Sequence, residues 1–114
     1  DRVGTARSLA KRCGKIVVLK GAYTIVAAPD SRVRVSPFAN PGLASAGTGD
    51  VLSGVIAGLV AQGVTPFDAA TLGVHLHARA GEMVKGILGD AGMVATDLLT
   101  ALPLVIKQLK ELNT

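Results

Sequence analysis

The 114-residue sequence is poor in the residues that mark several common functions. It holds one cysteine, Cys13, so no intramolecular disulfide can form and nothing argues for secretion. It has no tryptophan, one tyrosine and two phenylalanines. A nucleic-acid binder interleaves its basic residues with aromatic stacking platforms, and that poverty excludes nucleic acid as the main partner. Charged residues are 18% of the chain against 49% apolar ones, which excludes disorder and a charged tail. Long apolar runs are missing too. The longest weakly polar stretch, Val51 to Val64, is interrupted by Ser53 and Gln62 and falls short of the roughly 18 clean apolar residues of a membrane span. Asp1 to Lys15 is polar and basic, without the apolar core of a signal peptide. A chain with no membrane association and a cytoplasmic location is expected.

The formal net charge of +4 is unevenly placed. Arg2, Arg7, Lys11, Arg12, Lys15 and Lys20 crowd the first segment, with Asp1 as its one acid. From Val35 to Ala78 there is no lysine or arginine, and the carboxylates there are Asp50 and Asp68. The basic excess reads as the solvated face of a helix.

Thr5 is expected to cap a first helix, in which Ala6, Leu9, Ala10 and Cys13 recur at helical spacing and which Gly14 ends. Ile16-Val17-Val18-Leu19 is a continuous run rich in β-branched residues, the pattern of a strand covered on both faces. Thr24 to Ala28 reads as a second strand. After the Pro29-Asp30-Ser31 turn, Arg32-Val33-Arg34-Val35 alternates as the wet-faced partner of a hairpin. Ser36 to Ala46 is expected to be loop. From Gly47 onward the pattern is helical. Val51, Leu52, Val55, Ile56, Leu59 and Val60 make a helix apolar almost all round, with Gly54 and Gly58 placed for close backbone approach, which predicts a central helix. Gly63 closes it, and Pro66 opens the next, over Phe67 to Ile87. A last helix begins near Thr96-Asp97 and carries Leu98, Leu99, Leu102, Val105, Ile106 and Leu109.

Strands before helices is α+β order, but the two-sided strand suits an α/β sheet with further strands outside this chain. Three short strands are few for covering so apolar a helix set. A portion of a larger domain is therefore expected.

The informative stretch runs from Asn40 to Asp50, Asn-Pro-Gly-Leu-Ala-Ser-Ala-Gly-Thr-Gly-Asp. Small residues lead straight into a helix, so the free amides around Gly47, Thr48, Gly49 and Asp50 can converge on an anion at the positive end of the helix dipole. Glycine permits the close approach. Two phosphate motifs fail here. Gly42 and Gly47 have the Walker spacing, but Thr48 stands where lysine is needed, and Leu52 stands where the dinucleotide fingerprint wants its third glycine. Asp50 in the first turn is either a carboxylate complementing the helix dipole or a general base beside a phosphate site. His75 and His77, two apart on a helix, point different ways and cannot share a metal, so packing or surface roles are expected. Cys13 is expected to be a small buried residue. No metal site is expected from the side chains.

Gly47-Thr48-Gly49-Asp50-Val51-Leu52-Ser53-Gly54, preceded by Asn40-Pro41-Gly42-Leu43-Ala44, resembles the signature of the ADP/ATP-dependent NAD(P)H-hydrate dehydratases of the ribokinase-like superfamily. Val18 to Thr24 resembles their second signature, and His77 to Glu82 is similar to a third. The resemblance implies that residues 1–114 form the C-terminal portion of a single α/β, ribokinase-like domain: strands and a hairpin followed by three helices, with the N-terminal part outside this chain. It implies nucleotide-driven repair of hydrated NADH and NADPH, in which the ring hydroxyl is phosphorylated and loss of phosphate restores the double bond. Lys20, Gly21, Ala22, Tyr23, Thr24 and Gly49 match nucleotide-binding positions. The amides of Ala46, Gly47, Thr48 and Gly49 match the anion hole, and Asp50 matches the position that contacts the hydrate and acts as base. Mg2+ accompanying ADP or ATP, a homo-oligomer and an NAD(P)H-hydrate epimerase as partner are expected with it. The rival readings are a ribokinase-like kinase for a vitamin precursor or sugar, and an inactive piece completing a larger assembly.

Overall fold

The computed structural model describes residues 1–39, 47–89 and 95–112. In chain order it contains α1 (Arg2–Cys13), β1 (Val17–Leu19), β2 (Ile25–Ala27), β3 (Val33–Val35), α2 (Thr48–Ala61), α3 (Pro66–Leu88) and α4 (Ala95–Leu112). The strands form one antiparallel sheet in the order β1-β2-β3. Its register pairs Val18 with Val26 and Val26 with Arg34.

Alternation of side chains across the sheet sorts its residues into two cores. Ile25 and Ala27 pack with Ala6 and Ala10 of α1, joined by Val17 and Leu19. Val26 and Ala28 point the other way, to Leu52 of α2 and to Phe67, Ala70 and Val74 of α3, joined by Ile16 and Val18. The first strand thus meets apolar side chains on both faces and is half-buried throughout. β2 is the middle strand and all three of its residues are buried. A third core fills the space between α3 and α4, around Leu76, Ala80, Leu98, Leu102 and Val105.

Gly14 ends α1 in the left-handed region at φ 64°, where a glycine has no Cβ to clash. Four expectations need correction. Asp1, not Thr5, caps α1: its carboxylate accepts from the Val3 amide, while the Thr5 hydroxyl sits one turn inside and donates to the Asp1 carbonyl. A carboxylate one residue before the helix reaches the free amides; a hydroxyl within it does not. Cys13 is exposed, as is the whole stretch from Lys11 to Lys15 at the end of α1. The central helix is α3 rather than α2. α3 buries eleven residues over its length, whereas α2 buries Thr48 and Leu52. The close approach between these helices falls at Gly73, where an added Cβ would lie 2.6 Å from Ile56 Cγ1. At Gly54 and Gly58 an added Cβ would meet nothing within 4 Å among the described residues.

Candidate active-site cleft

Two segments distant in sequence form the cleft. One is the turn that leaves β1. Gly21 has φ 149° and Tyr23 has φ 57°, so the chain reverses over Lys20 to Thr24 before entering β2. The turn is pinned where Tyr23 N–H donates to the Phe38 carbonyl and the Thr24 hydroxyl donates to the Gly21 carbonyl. The other segment is the start of α2. Gly47 takes the cap position at φ 86° and, as a glycine, brings no side chain to cap the helix.

These segments face one another across a cleft of about 750 Å³. Lys20, Gly21, Ala22 and Thr24 line it from the turn, and Gly47, Thr48, Gly49 and Asp50 from the helix start. Leu52, Val74 and Ala78 supply apolar lining, while Phe38 and Ala39 follow the last strand. The volume lies within the range of small-molecule sites, and the mixture of an apolar base with a few convergent polar groups is characteristic of them. Tyr23 stands apart: it is not part of the lining, and the residue is 51% exposed. Ala46, with the Asn40–Ala44 half of the glycine-rich motif, lies outside the described residues.

The electrostatics converge on Gly49. A Cβ built there would lie 2.7 Å from the Lys20 ammonium nitrogen, so glycine at this position leaves room for the lysine. A full positive charge is thereby set against the first turn of α2, where the helix dipole is already positive. Sequence distance concealed this. The region from Val35 to Ala78 has no basic residue of its own, and the fold supplies one from the end of β1. Asp50, one residue further, is exposed at the cleft rim.

His77 is the polar residue that spacing alone undervalued. It is buried on α3, and its Nε2–H donates to the Thr48 carbonyl at 2.9 Å, tying the first turn of α2 to the central helix. Burial holds its pKa below the ordinary imidazole value, and Lys20 pushes the same way against the opposing effect of the Thr48 bond. The signal available in sequence was its place on the stripe with Val74, Ala78 and Gly81, since a polar group on a buried stripe needs a partner. His75 takes a different direction, as its spacing predicts, and tilts against the Phe38 ring at 6.1 Å between centroids.

Among the described residues no group of three or more His, Cys, Asp or Glu side chains could hold a metal ion. Nor is any described helix long and apolar enough to cross a membrane.

Known proteins resemble this chain in both sequence and structure. A family profile described as NAD(P)H-hydrate dehydratase matches residues 1–104. The bifunctional NAD(P)H-hydrate repair enzyme of Moorella thermoacetica is 46% identical over 111 residues, which are 97% of this chain and 21% of that protein. The ADP-dependent (S)-NAD(P)H-hydrate dehydratase of Neisseria meningitidis is 44% identical over 102 residues, 89% of this chain and 34% of that one. The crystal structure of the ADP/ATP-dependent NAD(P)H-hydrate dehydratase from Bacillus subtilis, co-crystallised with ATP and Mg2+, superposes with a TM-score of 0.90 at 32% identity. That match covers 95% of this chain and 39% of the Bacillus chain. The α/β fold expected from the sequence is the fold of that enzyme over the shared part, and this chain spans well under half the length of each of these relatives. A profile match over residues 1–104, nearly all of its length, shows that the chain belongs to the NAD(P)H-hydrate dehydratase family.

Proposed function

We propose that this chain supplies the nucleotide-facing wall and the base of an ADP- or ATP-dependent NAD(P)H-hydrate dehydratase. It would form the C-terminal portion of a single ribokinase-like domain. The observation that carries the reading is the Lys20 ammonium set against Gly49 in the first turn of α2, a concentrated positive site opening on a cleft with one carboxylate in its described lining. Nucleotide phosphates meet the turn Lys20–Thr24 and the Gly49 amide. The amides of Ala46 to Gly49 serve as the anion hole for the group in transfer, stabilising charge as it develops. Asp50 touches the hydroxyl of the hydrated nicotinamide ring and takes its proton. The hydroxyl oxygen bonds to the terminal phosphorus, the bond to the nucleotide breaks, and the shortened nucleotide leaves. Loss of the new phosphate ester as inorganic phosphate, with release of a proton from the adjacent ring carbon, then restores the ring double bond.

The donor set is compatible with Mg2+ that arrives on the nucleotide. This ion binds readily through substrate phosphates and retained waters, which leaves Asp50, the carboxylate in the described lining, to its role as base. When bound, it would neutralise phosphate charge. The relatives named as bifunctional repair enzymes support pairing this activity with a second repair step, for which we propose an NAD(P)H-hydrate epimerase. A homo-oligomer acting in the cytoplasm completes the reading.

The test uses the full-length protein with ADP or ATP and hydrated NADPH, following recovery of reduced-nicotinamide absorbance together with phosphate release. Recovery that depends on nucleotide is expected. Phosphorylation of a vitamin precursor or sugar without such recovery would replace this reading with that of a small-molecule kinase. No turnover of either kind would leave a piece that only completes an assembly.

A further inference from the structure

Arg2, in the first turn of α1, reaches across to the turn that follows β1. One of its terminal nitrogens, Nη1, donates to the Ala22 carbonyl at 2.8 Å and the Tyr23 carbonyl at 3.4 Å. The other, Nη2, donates to the carbonyls of Leu19 and Lys20, both at 3.4 Å. Four backbone carbonyls from five consecutive residues thus converge on a single guanidinium. Such convergence is unfavourable by itself, since it gathers four partial negative charges around one point. A cation with several fixed donors offsets it well, and arginine presents five N–H groups in a planar fork.

The turn needs this help. Tyr23 is a non-glycine residue at φ 57°, a conformation that costs free energy outside glycine. At Gly21, an added Cβ would lie 3.0 Å from Arg2 Nη2, so the fork and the glycine fit each other closely. Because C=O and N–H lie antiparallel in a trans peptide, carbonyls aimed at Arg2 turn the amides of Lys20, Gly21 and Thr24 away from it. The same backbone carries Lys20, whose ammonium stands beside Gly49.

We propose that Arg2 is a positioning residue for nucleotide binding: by holding the carbonyls of Leu19, Lys20, Ala22 and Tyr23, it sets the Lys20–Thr24 turn and the Lys20 ammonium in their receiving conformation. This rests on the nucleotide reading of the cleft. Arg2 does not line the cleft and acts through the turn alone. Lysine cannot replace it, because one ammonium cannot serve four carbonyls spread along a planar fork.

The experiment compares the full-length protein with its Arg2→Met and Arg2→Lys variants, and with Arg7→Met as a control on the same helix. Arg7 donates to the Ser31 carbonyl at 3.3 Å, away from the turn. Calorimetric titration with ADP and ATP, nucleotide and hydrate KM, kcat, melting temperature and amide hydrogen exchange over residues 20–24 are measured. Both Arg2 variants should weaken nucleotide binding about 10-fold, the scale of lost charge-assisted hydrogen bonds. Hydrate KM and kcat at saturating nucleotide should stay within about two-fold, a split that general destabilisation does not produce. Exchange in the turn should quicken in both Arg2 variants and not in Arg7→Met. Unchanged nucleotide affinity in Arg2→Met, or full affinity in Arg2→Lys, overturns the inference. A wild-type protein that binds neither ADP nor ATP overturns the nucleotide reading itself, and the exchange rates then report on the clamp alone.

Discussion

The two walls of the cleft are held in place by different means. The Lys20–Thr24 wall is a tight turn held by direct hydrogen bonds: from the Arg2 fork, to the Phe38 carbonyl and from its own Thr24 hydroxyl. The Gly47–Asp50 wall is a helix start with a glycine at its cap position, placed by its docking on α3 through the His77 bond to Thr48 and the seat of Ile56 on Gly73. The first wall is fixed by hydrogen bonds to its backbone, and the second by packing of the element behind it. Changes to the first should therefore appear in nucleotide affinity, and changes behind the second in stability.

The strongest break in this contrast is at the reacting end of the helix wall. Asp50→Asn preserves size and most hydrogen bonding while removing the proton acceptor. Turnover of the full-length protein should fall by roughly 10²–10⁴, the usual weight of general base catalysis, with nucleotide affinity kept within a few-fold. Rates and melting temperature on one preparation decide it: normal turnover in a folded Asn variant removes Asp50 from the mechanism. Next is Lys20→Met, which takes the charge from beside Gly49. Affinity for ADP and ATP should drop about 10- to 100-fold, as expected for losing a charge-assisted contact to phosphate. Isothermal titration measures this, and a melting temperature near wild type would place the loss on the binding wall.

Behind the helix wall, Gly73→Ala forces a methyl against Ile56 in a tight helix contact. Denaturant unfolding should show a loss of about 1–3 kcal/mol, the range for overpacking, rather than the gain an alanine brings to an open helix position. The smallest effect is a pH dependence at His77. Its folded pKa lies below the ordinary value of 6.5, so the unfolded chain takes up the proton first as pH falls. The stability it contributes is complete above that value and is lost as pH falls through the depressed folded one. His77→Gln keeps a side-chain donor without the titration. The difference in melting temperature between variant and wild type should therefore narrow on going from about pH 7.5 to about pH 5.5. A pH-independent difference would sever the link to His77.

How far the sequence could be read follows the range of the forces involved. Strand alternation, the Gly14 stop, the hairpin and the glycine-rich helix start are local, each set by sterics and hydrogen bonding within a few residues. They were legible, as was the family, whose motifs are contiguous. The choice of central helix was not. α2 and α3 are both apolar enough to be buried, and composition says nothing about which surface finds a complementary one. The corrected cap shows the same limit on a smaller scale: Asp1 and Thr5 are both good capping residues, and the position of the first turn decided between them.

By itself, the sequence determined the element types, the two-faced strand and the place of a phosphate-suited helix start, because these depend on chain-neighbour chemistry. Only the tertiary structure decided that Lys20 stands beside Gly49, that His77 holds Thr48, that Arg2 gathers the strand-end turn, and that Gly73 rather than Gly54 is the close contact. Each of these joins groups about 17 to 29 residues apart along the chain, at distances set by how whole elements dock. Local propensity does not encode such distances; they come from the complementarity of packed surfaces.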